Sequence, residues 1–271
     1  ERQRHERGMT KFKNIALWSG ILLYLILSLS FVESKRSETI CSKVKVSILD
    51  SLDDRFMDEQ TVQDFIHGLD MKVRGEPAES INIRKMERYL EEKPVIQRAE
   101  LYFTANGDLH IDIDQRNPIV RIINEKGRSY YIDRYGVIIP LTSNHSSHVL
   151  VASGEIVEFF EPARTHRIPC PEQYDGKKNY DICKIYDMAL FIHDNPFWAS
   201  QIEQIYLNDK GEFELIPRVG GHLIKLGKYD GFREKFRHLK AFYQKGLNNV
   251  GWNQYLEINL KYDNQIVCTK R

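Results

Sequence analysis

AELYFTANGDLHIDIDQR, residues Ala99 to Arg116, is the stretch that decides the fold. Two alternating runs flank Asn106-Gly107. That dipeptide predicts a tight type I′ hairpin turn, because such a turn needs positive φ at both central residues. Leu109, Ile111 and Ile113 form the buried row of the second arm, since successive side chains point to opposite faces of a strand. Asp112 and Asp114 then share the opposite face. A solvated face explains them better than a glycosidase pair, because nothing places them in a cleft.

Two helices and a further strand precede the hairpin. Asn82 is a candidate cap, Ile83, Met86 and Leu90 make an apolar stripe, and Pro94 ends the helix. Before it, Asp58 can cap a helix in which Val62, Phe65, Ile66 and Leu69 fall at i, i+3, i+4 and i+7. Lys43 to Leu49 alternates Val44, Val46 and Ile48 against polar residues, as a half-buried strand does. Residues 43–117 thus read strand, helix, helix, strand, strand: a three-stranded sheet with two helices on one face, enough for a small core.

Pro118 marks a hinge to a second domain, 118–271, that reads mostly as antiparallel strands. They are IVRII, SYYID, VIIPL, SHVLVAS, IEQIYL, EFELI and HLIKLG. Asp133-x-x-Gly136 and Asn208 to Gly211 are turns. Residues 161–181 hold three prolines and no periodicity, so they predict a surface loop. Ile182 to Ala199 has helical spacing. Phe232, Phe236, Leu239, Phe242, Tyr243 and Leu247 form a broad apolar helix face, with Arg233, Lys235, Arg237 and Lys240 on its wet side. Tyr255 to Cys268 predicts one long strand, whose position suggests a sheet edge.

At the other end lies IALWSGILLYLILSLSFV, Ile15 to Val32, eighteen residues without a charge. That length suits a membrane-spanning helix. Arg2, Arg4, Arg7, Lys11 and Lys13 precede it, which predicts residues 1–14 in the cytoplasm, a tether at 33–42 and the remainder outside. A cleaved signal peptide is the competing reading; its apolar region would be unusually long, and Ser28-Leu29-Ser30 fits a cleavage site poorly.

A net charge of +1 with 28% charged residues leaves no nucleic-acid footprint. Four cysteines without a CxxC or Cys/His spacing give no zinc site. Cys170 and Cys183 flank a polar loop, and an oxidising compartment would allow a bridge between them. His145 and His148 read as a solvated loop pair. No phosphate loop, nucleophile elbow or HExxH is present.

The order and spacing of KPVIQRAELYFTANGDLHIDIDQRNPIVRI, SYYIDRYGVIIPL, HVLVASG, GHLIKLGKYDGFREKFRHLKAFY and YLEINLKYDNQIVCTK resemble the FtsQ/DivIB family of bacterial cell-division proteins. The resemblance covers nearly the whole chain. It implies an α+β architecture: one transmembrane helix, a POTRA domain (β-α-α-β-β), and a β domain with a C-terminal helix and edge strand. It also implies a scaffold without catalytic residues, cofactor, metal or small-molecule substrate. Such a scaffold sits in the inner membrane at the septum, binds FtsB-like and FtsL-like single-pass partners, and acts indirectly on septal peptidoglycan synthases. By position, Tyr262 in NLKYDNQ matches the tyrosine of the binding strand. Lys261, Asn264, Gln265 and Ile266 beside it, and Tyr243 on the preceding helix, complete the implied partner site. Read without the resemblance, Tyr262 fits a core position equally well. The runner-up function is a POTRA-type chaperone of envelope protein export, which would need tandem POTRA repeats or a membrane barrel.

Overall fold

The computed structural model describes residues 17–28, 40–49, 57–68, 72–141, 146–160, 167–170, 180–247, 251–262 and 264–271. Residues 17–28 form a helix, α1, whose apolar side chains, Trp18 and Tyr24 among them, are exposed. It lies inside the uncharged run, whose two ends fall outside the described residues. Among the described residues, no helix is long and apolar enough to cross a membrane.

The rest divides into two compact units. The first holds β1 (Val44–Ile48), α2 (Glu59–His67), α3 (Ile83–Glu91) and most of β2 (Ile96–Phe103) and β3 (Leu109–Gln115). Its sheet runs β1-β3-β2, with β1 parallel to β3. The alternating row is the core: Leu109, Ile111 and Ile113 are fully buried, with Val62, Met86 and Leu90 from the helices. Asn82 caps α3 as expected, its Oδ1 accepting the Lys85 N–H at 3.0 Å. Leu69 falls outside the described residues.

The hairpin turn differs from the type I′ expectation. Gly107 has φ 82°, and Asn106 does not join it at positive φ. Thr104 accepts from Gly107 N–H at 3.0 Å and donates to the Asp108 carbonyl at 2.9 Å. This is a type I turn closed by a left-handed glycine, which places positive φ on one residue only. The same device recurs three times in the second unit, at Asn124-x-x-Gly127, Asp133-x-x-Gly136 and Asn208-x-x-Gly211. In each, the first side chain also accepts the N–H four residues on, at 2.8 Å for Asn124 and Asp133 and 3.0 Å for Asn208. A short side-chain oxygen thus supplies what the backbone cannot.

The second unit comprises β4 (Pro118–Ile123), β5 (Ser129–Asp133), β6 (Ile138–Ile139), β7 (Leu150–Gly154), α4 (Asp181–His193), α5 (Pro196–Gln201), β8 (Ile202–Leu207), β9 (Phe213–Pro217), β10 (Leu223–Gly227), α6 (Phe232–Phe242), β11 (Tyr255–Asn259) and β12 (Val267–Lys270). Nine strands form one sheet in the order β12-β11-β10-β9-β8-β7-β4-β5-β6. Five neighbouring pairs are antiparallel and three parallel. The sheet is therefore mixed, with antiparallel pairs in the majority. One core joins sheet and helices; in it Trp198 meets Phe236 edge-on at 4.9 Å. Asp187 ties α4 to the start of α6 by accepting from Tyr229 and Arg233.

Two expectations change here. The single helix over Ile182 to Ala199 is two helices, because Pro196 has no N–H to continue the first. Asn195 caps the second, its Oδ1 accepting from Phe197 N–H at 3.2 Å. Residues 161–166 and 171–179 of the expected loop fall outside the described residues, but its middle does not behave as a loop. Ile168 is buried, and Cys170 is bonded to Cys183 in the first turn of α4.

A candidate partner-binding edge

The apolar face of α6 is the one its sequence predicts. Phe232, Phe236, Leu239 and Tyr243 are buried, and the helix lies in the same core as β11. The expected long strand from Tyr255 to Cys268, however, is a hairpin. β11 and β12 pair antiparallel, with Ile258 opposite Cys268 and Asn259 opposite Val267. The fold-back lies at Asn264, whose φ of 58° an asparagine tolerates. The Gln265 N–H donates to the Tyr262 carbonyl at 3.3 Å inside the turn.

The edge of the sheet is thus β12 alone. Its polarity follows from one bond: the Arg271 N–H donates to the Gln254 carbonyl at 3.1 Å. Backbone groups alternate sides along a strand. Val267 and Thr269 therefore face β11, while Cys268 and Lys270 turn their N–H and C=O outward. Among the described residues no strand pairs with that outer side.

The expected site residues separate into two groups. Lys261, Tyr262, Asn264 and Gln265 cluster in the turn and are exposed, Tyr262 by 56%. Tyr262, Asn264 and Gln265 line a groove of about 330 Å³ against the first turns of α6, where Asp230, Glu234, Lys235 and His238 contribute charges of both signs. Lys261 points elsewhere, its Nζ 2.8 Å from Glu212 Oε2. Ile266 is half-buried against the core. Tyr243 is a correction: it is 1% exposed and cannot meet a partner from within the core. The α6 cations are also engaged. Arg233 reaches Asp187, Arg237 reaches Glu234, Lys235 reaches two carbonyls, and Lys240 covers the Phe197 ring. The nearness of these α6 residues to Tyr262 is not visible in the sequence, because they lie about a helix and a hairpin away from it.

Two of the other edges, β2 and β6, are less open. In the first unit, β2 ends its sheet, but two of its N–H groups are already taken: Leu101 donates to Glu87 at 3.0 Å and Ala99 to Glu91 at 3.3 Å. At the far end of the large sheet β6 is two residues long, and Arg167 bridges to Val137 beside it. Charged or covered edges resist strand addition. Asp112 and Asp114 lie half-exposed on a strand face, and Asp133 serves its turn. His148 is exposed, and His145 falls outside the described residues. Among the described residues no group of His, Cys, Asp or Glu has a metal-binding arrangement.

Beneath the hairpin, His222 is 3% exposed, with Nε2 2.9 Å from the Tyr243 hydroxyl. Burial pushes its pKa below the usual value, aided by Arg271 and opposed by the Trp252 carbonyl. The unfolded imidazole, at about 6.5, therefore takes up its proton first as pH falls. The stability involved is complete above that pKa and is lost below it. We expect the wild-type chain to lose more stability between about pH 7.5 and about pH 5.5 than His222→Gln does, read as urea midpoints. Equal losses would assign the acid sensitivity to other groups.

The model of the family described as FtsQ/DivIB, C-terminal related, matches residues 117–269. A POTRA-like domain model matches residues 39–114. No curated protein matches the chain.

Proposed function

The chain belongs to the FtsQ/DivIB C-terminal related family, and from that membership we propose that it is a single-span scaffold of the bacterial division apparatus. Both matched families are non-catalytic scaffold families, and the first is a division family. In this reading, Ile15 to Val32 anchors the chain in the inner membrane. Residues 33–42 form a tether, and residues 43–117 and 118–271 are the two extracytoplasmic domains. The scaffold takes an extended segment of an FtsB-like partner, with an FtsL-like protein in the same assembly, and so acts upstream of septal peptidoglycan synthesis.

The observation that carries the reading is the outer edge of β12, with Cys268 and Lys270 offering backbone groups beside the exposed Tyr262. Two further observations support it. The exposed apolar side chains of α1 suit lipid contact. The Cys170–Cys183 bond suits an oxidising compartment, as an extracytoplasmic body would occupy. The alternative, a POTRA chaperone working by strand addition, finds the β2 edge partly occupied by carboxylates, which leaves it the β1 edge.

An N-terminal fluorescent fusion should form a mid-cell band. A C-terminal alkaline phosphatase fusion should be active, and a C-terminal fluorescent protein exported unfolded should be dark. A uniform envelope signal would count against the division role, and the reverse topology result against the anchor.

A further inference from the structure

We propose that the Cys170–Cys183 bond is a redox-sensitive latch. Oxidised, it holds residues 167–170 as a strap over the outer edge of the large sheet at β6. Reduced by a dithiol, it releases the strap and opens that edge. The inference does not depend on the β12 reading, because it concerns the opposite end of the same sheet.

The strap lies where the sheet would otherwise end. The Asp133 N–H donates to the Val137 carbonyl at 3.0 Å, so that carbonyl faces β5. By alternation, Ile138 turns its N–H and C=O away from β5. Along this outer side Arg167 bridges antiparallel to Val137, and the Ile168 N–H donates to the Gly136 carbonyl at 2.9 Å. Ile168 also packs on the turn itself: a Cβ at Gly136 would come within 3.2 Å of its Cγ1.

Among the described residues the non-covalent ties of the strap are few. Ile168 is buried, but Arg167 and Pro169 beside it are exposed. Ordering each residue of the strap costs chain entropy, and one buried side chain with one backbone bond offsets little of it. The disulfide changes that balance by tying the end of the strap to α4. The helix is fixed independently. Cys183 is 1% exposed within the core, and the Tyr186 hydroxyl donates to the Arg134 carbonyl at 2.8 Å. Cutting the bond therefore frees the strap and leaves α4 and the turn in place.

The two sulfurs differ in access. Cys170 is half-buried in the strap, whereas Cys183 is enclosed, so attack falls on Cys170. An exposed disulfide is the labile kind. A thiolate of the dithiol attacks Cys170 Sγ, the S–S bond breaks, and Cys183 leaves as a thiolate that takes up a proton. The second thiolate of the donor then displaces Cys170 from the mixed disulfide, and Cys170 is protonated in turn. Two electrons and two protons pass to the cysteines, and the donor ends as a disulfide.

The test follows hydrogen exchange in the full chain in detergent, before and after dithiothreitol, with alkylation counting the thiols. Dithiothreitol should reduce the bond in the folded chain. Exchange at the Ile138 and Ile168 amides should then rise about tenfold or more, while the amides of β5 and α4 stay within about twofold. Cys170→Ala, which leaves the core untouched, should show the fast exchange without reductant and no further change with it. That result excludes Cys41 and Cys268 as the source. A bond that resists dithiothreitol in the folded chain would overturn the proposal. So would unchanged exchange at Ile138 and Ile168 after complete reduction, or an acceleration spread equally over β5 and α4.

Discussion

An Asp133→Ala chain is expected to lose about 3–5 kcal/mol of the second unit's stability. Asp133 is 1% exposed, and three donors converge on it. Its Oδ1 accepts the N–H groups of Tyr135 and Val137, each at 2.8 Å, and its Oδ2 accepts Arg116 Nη1 at 3.0 Å. Alanine leaves the Arg116 guanidinium, itself only 17% exposed, without its counter-charge, and strands two backbone donors of the turn. The loss comes mostly from those orphaned groups and not from the attraction of the pair. Two variants separate the terms. Asp133→Asn keeps an oxygen for the turn and should cost less than alanine. Adding Arg116→Met to Asp133→Ala should restore part of the stability, because it removes the unpaired charge. Urea unfolding of the three variants reads the difference. A loss below about 1 kcal/mol for alanine would mean that water replaces the carboxylate and that the site is less closed than its burial indicates.

Much of this fold is legible because its signals are local. Leu109, Ile111 and Ile113 alternate, and all three are fully buried. Asn82 sits where a cap belongs and caps. The turns after Asn208 and Asp133 carry their glycine three residues on, and the same oxygen-plus-glycine pattern builds two further turns. What sequence periodicity cannot resolve is a fold-back. Both arms of a hairpin present alternate residues to one face, so Ile258, Leu260, Ile266 and Cys268 keep one parity whether the strand continues or returns. Asn264 alone marks the reversal. Tyr243 shows the opposite case. Its place in the apolar row that continues from α6 into the turn after it already assigned it to the core, and only the family resemblance pointed outward. Nor does spacing foretell that β7 lies between β4 and β8, parallel to both, or that Asp230 and Glu234 face Tyr262. Those are pairings across long separations, set by the packing of the whole sheet.

The second large effect concerns β12 itself. Lys270→Pro and Cys268→Pro should each weaken binding of the FtsB-like partner's extracytoplasmic segment by tenfold to about a hundredfold. Proline removes an outward N–H that an incoming strand would use, and its ring crowds the approach. Neither N–H serves the β11–β12 ladder, so both chains should fold. Lys270 is the cleaner position, because its side chain is exposed whereas Cys268 is half-buried against the core. Thr269→Pro is the contrasting case. That N–H faces β11, opposite Glu257, so proline there should destabilise the hairpin as well as abolish binding. Gln265→Pro belongs with Thr269→Pro, because its N–H is already spent on Tyr262. Tyr262→Ala should weaken binding while leaving the fold unchanged, since its ring lies outside the core. Fluorescence anisotropy with a labelled partner segment gives the affinities, and urea midpoints give the folding control. If Lys270→Pro and Cys268→Pro remain folded and bind like the wild type, the partner does not add a strand to β12. Retained loss in Tyr262→Ala would then place the contact on side chains of the turn instead of on the backbone edge.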